Sequence, residues 1–483
     1  MSFSSIFYII GILLTAFGVF MVVPGFVSLG YEEPHGAFPF FVSSGFTIFI
    51  GMMLFFMNRH REQILSHRDG FLITFLTWAT LSFAGAWPLY LTGAAPTFID
   101  AFFEAVSGLT TTGATVMNGL DGMAHSILLW RSMLQWIGGM GIVVLAVAIL
   151  PFLGIGGMQM YRAEMPGVVK DKLQPRLKET AKLLWMVYFT LTCLCTLGYK
   201  VAGMHAFDAI NHAFTTVATG GFSTHDSSFA YFNNPMIEVV AILFMLIGGI
   251  NFSLHYLFIN RLSFGVYLRN VEFRFFFTIL FIALVLVFST VTVMDKFNLI
   301  ESIRYTLFNT ISILTTTGYG NADYNSWASL APMVLFTLMF IGGCSGSTSG
   351  GMKVLRIMMI IKQGARELAR LVHPRGIVHV KVGRQTIPDE VMQAVWSFAG
   401  LYIVFFALFA LVVAAYGIDL ITAFSAAAAT LTGVGPGLGE VGPMGNYGIL
   451  PLPVKALLCV SMIMGRLELF TLLVILTPRF WRK

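Results

Sequence analysis

Charge is scarce in this sequence. Of its 483 residues only 11% are Asp, Glu, Lys or Arg, against about 25% in a soluble domain. With 57% hydrophobic residues and a mean hydropathy of +0.81, that shortage excludes a soluble globular protein and points to a membrane protein. Cysteine is scarce too. Cys193, Cys195, Cys344 and Cys459 all fall inside apolar segments, so they read as small buried hydrophobes, not as disulfides or thiolate metal ligands. Catalytic patterns are missing: there is no HExxH, no GxGD and no Ser/His constellation at one depth, so the chain is expected not to be an enzyme. No Walker-A lysine motif is present, and GLGEVG at 437–442 has neither the preceding strand nor the following helix of a dinucleotide fingerprint. No nucleotide is expected to be bound by this chain.

What the sequence has in quantity is apolar runs of about 20 residues, each long enough for a hydrocarbon core of roughly 30 Å. Ten spans are expected near 5–28, 37–57, 71–93, 126–150, 182–203, 236–259, 272–294, 331–361, 391–417 and 453–478. Residues 5–28 lack a basic n-region and a clear cleavage site, so they are kept as a mature helix and not a signal peptide. Loops 58–69, 161–182, 260–274 and 362–384 and the tail 479–483 hold 3, 6, 3, 6 and 3 Lys/Arg, whereas 31–38 and 418–452 hold none. By the positive-inside rule both termini and the basic loops are expected in the cytoplasm. The net charge of +6 then reflects topology and contact with anionic membrane lipid, not nucleic acid.

One stretch recurs. TTTGYG at 315–320 has a relative in TTTGA at 110–114 and looser ones in VATGG at 217–221 and TLTGV at 430–434. Aligned on their glycines, they put Gly113, Gly220, Gly318 and Gly433 in register. Each is preceded by about 13 residues (near 100–112, 206–219, 304–317 and 420–432), too short at 1.5 Å per residue to cross a membrane. Each is followed by a second helix: IGGMGIVV (137–144), IGGINFSL (247–254), IGGCSGST (341–348) and the degenerate MGRLELF (464–470). The expected fold is an all-α membrane protein. Four parallel helix–pore-loop–helix repeats, 70–165, 166–262, 263–385 and 386–483, surround a central pore, and residues 1–69 form two extra N-terminal helices.

Irregular backbone at membrane depth survives only where protein buries it or where it lines a wet cavity. Four such turns around one axis suit a monovalent cation, held by backbone carbonyls that glycines aim at the axis. The expected ion-binding set is Thr111, Thr112, Gly113, Ala218, Thr219, Gly220, Thr316, Thr317, Gly318, Leu431, Thr432 and Gly433, with the negative ends of the short helices behind it. No carboxylate lies in the turns, which disfavours a divalent ion. Asp100, Glu104, Asp208, His212 and Asp419 lie nearby, as an attractive outer vestibule or as helix caps. The stretch Gly342, Gly343, Cys344, Ser345, Gly346, Ser347, Thr348, Ser349, Gly350, Gly351 costs a helix roughly 5 kcal/mol in glycine alone. It reads as a broken helix crossing the pore, a gate, although the spacing of Gly342, Gly346 and Gly350 also suits helix packing. Lys353 and Arg356 follow it and are expected towards the cytoplasm. Arg466, in mid-span, is either a gate-side electrostatic barrier or half of a structural ion pair, and Arg131 is an anchor at the outer end of its helix.

These features together, with WRSMLQWIGGMGI at 130–142, GGCSGSTSGG at 342–351 and GRLEL at 465–469, make the chain resemble the Trk/Ktr/HKT superfamily of cation transporters, in its bacterial TrkH/TrkG branch. The resemblance implies potassium uptake across the bacterial cytoplasmic (inner) membrane by a gated channel subunit. It makes the four glycines filter residues and the loop of the third repeat the gate. It also implies a homodimer and a cytosolic ring of NAD- and ATP-binding TrkA-type subunits, docking on basic loops such as 161–182 and 362–384. In related plant proteins a serine at the first glycine goes with sodium preference, so Gly113 matches the potassium pattern. None of the turns is the TVGYG of strict potassium channels, so weaker discrimination against sodium is expected. The alternative is a secondary transporter that couples potassium to protons or sodium; the parallel repeats and the lack of a shared carboxylate in the turns count against it.

Overall fold

The computed structural model describes residues 3–33, 36–59, 66–148, 173–295, 297–374, 376, 378–383 and 385–482. It is helical throughout, apart from a two-residue antiparallel ribbon of Lys381–Val382 with Gln385–Thr386. Helices Phe3–Gly30 and Ala37–Asn58 form the N-terminal pair. They pack closely because small residues face each other: a Cβ on Gly11 would lie 2.7 Å from the Gly51 carbonyl, and one on Gly18 would lie 2.7 Å from Ile48. Gly11, Gly18 and Gly25 repeat every seven residues, the spacing of a helix–helix seam. The other faces carry exposed Phe38, Phe46 and Phe49, as a lipid-facing surface requires.

The repeats follow one plan. Outer helices are His67–Leu91, Leu173–Val201, Val271–Val293 and Asp389–Ala415. Short pore helices are Phe98–Leu109, Ala206–Val217, Leu299–Leu314 and Leu420–Thr432, and inner helices begin at His125, Pro235, Leu330 and Leu452. Thr97, Asn298 and Asp419 cap three of the pore helices through Asp100, Glu301 and Thr422 N–H groups. The Asn298 cap starts the third pore helix five residues before the expected 304. The 165/166 repeat boundary and the basic residues Arg162, Lys170 and Lys172 lie outside the described residues.

Three of the expected spans are not single helices. The segment 236–259 bends by 100° between Pro235–Gly249 and Phe252–Arg261, where Asn251 caps the new helix by accepting the Ser253 N–H at 2.8 Å. The segment 453–478 bends by 114° between Leu452–Arg466 and Phe470–Leu476, at Glu468 and Leu469 with φ of 57° and 34°. The segment 331–361 stops at Ile341 and resumes at Val354. The second half runs to Val372, so much of the basic loop expected at 362–384 is helix. Cys193 is exposed where burial was expected, while Cys195, Cys344 and Cys459 are buried; in a membrane span an exposed apolar residue still sits in an apolar medium.

Buried polar contacts tie the repeats together. Trp130 donates to the Gly85 carbonyl at 3.0 Å and packs on Phe17 of the N-terminal pair. Lys455 of the fourth repeat reaches Asp100 of the first at 2.7 Å, and Arg304 of the third reaches Glu238 of the second at 2.7 Å. Substituting Gly11→Leu should force the N-terminal pair apart and cost about 1–3 kcal/mol, read as a lower thermal midpoint of the purified protein in detergent. Gly45→Leu, whose Cβ meets nothing within 4 Å, should leave it unchanged.

Candidate functional site

All four pore helices end alike. The N–H groups of Thr112, Gly220, Thr317 and Val434 reach back five residues to the carbonyls of Ser107, Thr215, Ser312 and Ala429, at 2.8–2.9 Å. The residue before each, Thr111, Thr219, Thr316 and Gly433, is left-handed with φ between 50° and 72°. This is a Schellman ending, but three of the four left-handed positions hold a β-branched threonine, at a cost of roughly 1–2 kcal/mol each. The residue after each, Gly113, Gly221, Gly318 and Gly435, again has positive φ, 81–94°.

Those last four glycines close a ring. A Cβ on Gly113 would strike the Gly220 carbonyl oxygen, one on Gly221 that of Thr317, one on Gly318 that of Val434, and one on Gly435 that of Thr112. Each repeat thus lays a glycine against the carbonyl of the next, and the fourth returns to the first. The register differs from the one expected from sequence. Gly113 and Gly318 align with Gly221 and Gly435, one and two residues beyond Gly220 and Gly433. The duplicated GG and GVG patterns hide this, because only the backbone tells which glycine meets the neighbouring carbonyl. Leu431 is also displaced: it lies within the pore helix, and its carbonyl accepts the Tyr402 hydroxyl at 3.2 Å. Ala218 and Thr432 stand level with Thr110 and Thr315 at the base of the turns. The hydroxyls of Thr112 and Thr317 bond to Thr110 and Thr315 at 2.8 and 2.9 Å.

Past the ring, residues from all four repeats line one open mouth of ≈ 540 Å³, among them Gly113, Gly221, Gly318 and Pro436. Of the carboxylates expected as an outer vestibule or as helix caps, Asp419 caps the fourth pore helix, and Glu104 and Asp100 are buried and paired. Glu104 is wholly buried and accepts from Arg131 at 2.8 Å and from the Val116 N–H at 3.0 Å, and Asp100 holds Lys455. Arg131 donates on to the Ser223 carbonyl at 3.0 Å and lies over the Phe222 ring, so it anchors the first repeat to the second. His212 is buried between the Asp208 carbonyl and Ser223 Oγ. His225 lies at the mouth, stacked on Tyr231, 2.5 Å from Asp121 and 3.7 Å from Asp208. Burial works against its charged form, but the two carboxylates outweigh burial and raise its pKa.

On the other side of the ring lies residues 342–353. Ser349 Oγ donates to the Thr315 carbonyl at 2.7 Å, Thr348 Oγ1 to that of Val217 at 3.1 Å, and the Gly351 N–H to that of Thr432 at 2.7 Å. The left-handed threonines are used here: Thr316 Oγ1 accepts the Gly350 N–H at 2.6 Å, and Thr219 Oγ1 bonds Thr348 Oγ1 at 3.0 Å. Glu272 holds the Ser345 N–H at 2.7 Å. Gly346 packs against Asn251, the Cys344 N–H donates to the Gly249 carbonyl, and Ser347 donates to the Cys344 carbonyl. Gly342 and Gly343 make the sharp exit from Ile341. Arg466 donates to the Thr348 carbonyl at 2.8 Å, while its buried Nε and Nη2 have no partner among the described residues. Glu468 pairs with Arg356 at 2.6 Å. Lys353 folds back onto the Ser349 carbonyl, from a backbone with positive φ (72°).

The chain is similar to known proteins along its whole length. A family model described as TrkH, cation transport protein, matches residues 37–483. The chain is 47% identical to the Trk system potassium uptake protein TrkH of Halomonas elongata and 46% identical to that of Escherichia coli, over the full length of both partners in each case. It is 40% identical to the Trk system potassium uptake protein TrkG of Escherichia coli, covering 98% of this chain and 97% of that one. The crystal structure of the potassium transporter TrkH from Vibrio parahaemolyticus matches with a TM-score of 0.92 at 45% identity, covering both chains completely.

Two outcomes follow from the site. Gly435→Ala places a Cβ 2.6 Å from the Thr112 carbonyl, whereas Gly433→Ala meets nothing nearer than 3.9 Å. Cation uptake by cells dependent on this protein should therefore drop about tenfold or more for Gly435→Ala, a loss worth at least ~1.4 kcal/mol, and clearly less for Gly433→Ala. The His225 bridge, with its raised pKa, is complete below about pH 6.5 and is lost as pH rises through that raised value. The thermal midpoint should fall between about pH 6 and 9, in a step that His225→Gln abolishes.

Proposed function

The chain belongs to the TrkH family of cation transport proteins, and from that premise we propose that it is a potassium uptake subunit acting as a gated channel. One observation carries the reading: four carbonyls set in a closed ring by four glycines, one from each repeat, with a tethered irregular segment beneath them. The carbonyls of Thr112, Gly220, Thr317 and Val434, with the left-handed residues below them, replace part of the hydration shell of a dehydrating potassium ion. The pore helices direct their partially negative ends at the same place. Potassium is the cargo, held only in passing.

Segment 342–353 is the gate in this reading, because its donors occupy carbonyls at the ends of three pore helices. Arg466 adds a positive charge beneath the ring that opposes cation passage until the segment moves. The basic side of the molecule faces the cytoplasm of a bacterium with the protein in its inner membrane, as the loop charges favour. The cationic helix Val354–Val372 continues directly from the gate segment, which makes it the natural point of attack for a cytosolic regulatory ring of the TrkA type. Homodimer formation and the docking role of loop 161–182 belong to the same proposal, although residues 161–172 lie outside the described residues.

Recording from purified protein in planar bilayers, with potassium on one side and sodium on the other, tests the proposal. Unitary steps that reverse towards the potassium potential support it. Absence of unitary steps, with slow potassium uptake that follows an imposed proton or sodium gradient, replaces the channel with a coupled carrier. Arg466→Ala, which removes the bond to Thr348, should raise unstimulated open probability by roughly fivefold or more, since a hydrogen bond to a charged group is worth about 1.5–3 kcal/mol.

A further inference from the structure

We infer that Gln135 tunes the cation affinity of the carbonyl ring; the inference rests on reading that ring as an ion filter. Of the four residues whose carbonyls form it, Thr112, Thr317 and Val434 carry branched side chains and Gly220 carries none. The inner helix of the first repeat fills the missing volume: a Cβ on Gly220 would lie 2.5 Å from Gln135 Oε1. The Gln135 carboxamide is wholly buried. Its Nε2 donates to the Gly220 carbonyl at 2.7 Å, and its Oε1 accepts the Phe222 N–H at 3.1 Å. Among the described residues, no protein donor meets the carbonyls of Thr112, Thr317 or Val434.

The ring therefore has three carbonyls free for a cation and one that already carries a donor. A donor uses one of the two lone pairs of the oxygen and reduces the negative potential a cation meets there. A weaker ligand field repays less of the dehydration cost of sodium, the smaller and more strongly hydrated ion, and so favours potassium. Gln135 acts on the ion only through Gly220, so it is a positioning residue and a determinant of selectivity. It also breaks the fourfold equivalence of the ring at one corner.

Two variants separate this electrostatic role from space filling. Gln135→Met keeps the side-chain length and removes the donor. The pair Gln135→Ala with Gly220→Thr puts the threonine of the first and third repeats into the vacated space, without restoring a donor. Both are purified at full length, reconstituted, and measured by reversal potential under opposed potassium and sodium. The expected result is that both conduct and that the potassium/sodium permeability ratio falls roughly threefold or more in each, as the freed carbonyl strengthens the field. A Gln135→Met ratio equal to that of the wild type overturns the inference. So does a wild-type ratio in the double variant, which would reduce Gln135 to packing. Should Gln135→Met fail to yield a monodisperse protein, the double variant alone decides. Wild-type protein that conducts no potassium at all overturns the filter reading itself, a failure visible before any variant is compared.

Discussion

The centre of this molecule depends on four contacts between backbone and backbone. Each sets a glycine Cα against the carbonyl oxygen of the neighbouring repeat, in the order first to second to third to fourth to first. No side chain supplies this closure, so no single repeat can make it. Non-helical backbone at membrane depth needs partners for its polar groups, and here each turn is finished by its neighbour. The rest of the architecture follows from holding these turns level. Pore helices of 12, 12, 16 and 13 residues stop at one depth with the same five-residue back-bond. Ion pairs between repeats, Lys455 with Asp100 and Arg304 with Glu238, lock the outer ends of those helices through side chains that are largely buried.

Threonine at the left-handed position shows what the assembly sacrifices locally. Glycine would be unstrained there, and the fourth repeat uses it at Gly433. Thr219 and Thr316 instead point hydroxyls at the segment below, where they meet Thr348 and the Gly350 N–H. Strain at a few sites is tolerable when the surrounding packing over-determines the conformation. Here it gives the ring a direct mechanical link to residues 342–353. Thr111 stands apart: its hydroxyl has no partner among the described residues, and the segment does not reach the first repeat in this way. The link is therefore lopsided, confined to the second, third and fourth repeats.

Much of this was legible in the sequence, for reasons that can be stated residue by residue. A fourfold recurrence of threonine before glycine, each followed by a glycine-bearing apolar helix, fixes the repeat plan because hydrocarbon tolerates so few alternatives. The weakness of GGCSGSTSGG as helix was equally plain from glycine content. What escaped were features set by contacts across the chain. The register of Gly221 and Gly435 depends on which carbonyl each approaches, and two glycines within three residues are indistinguishable in sequence. The bends after Gly249 and Arg466 occur within segments that read as single apolar spans; Asn251 at the first, and Arg466 and Glu468 at the second, were the local signals. Glu104 and Asp100 read as vestibule charges or helix caps, and their pairing with Arg131 and Lys455 was hidden because those partners lie 27 and 355 residues away. Gln135 lies within WRSMLQWIGGMGI, but nothing in that stretch says what its side chain meets. Its meaning appears only beside Gly220, where the missing side chain and the inserted carboxamide explain one another.

The third repeat differs from the second and fourth in how its inner helix fails, and the difference has an energetic consequence. A bend redirects the helix and satisfies its own backbone within a residue or two. The twelve residues from Gly342 to Lys353 are only partly satisfied internally, as between Ser347 and Cys344; they borrow the carbonyls of Val217, Thr315 and Thr432 through Thr348, Ser349 and Gly351. Those acceptors lie at the negative ends of three pore helices, where they would otherwise bind water or a passing cation. Segment, water and ion thus compete for one set of oxygens. At roughly 1 kcal/mol net for each of these three bonds, releasing the segment costs about 3 kcal/mol before water repays any of it. That falls at the upper end of the 1–3 kcal/mol which couples a distant binding event to a conformational change. In the proposed channel, a partner pulling on Val354–Val372 would need only a modest differential affinity to shift the segment. In the same proposal a cation arriving from the mouth would also favour release, because it would stabilise the water-filled alternative. Had the third inner helix merely bent, its backbone would have been self-sufficient, and nothing in the pathway would have depended on its position.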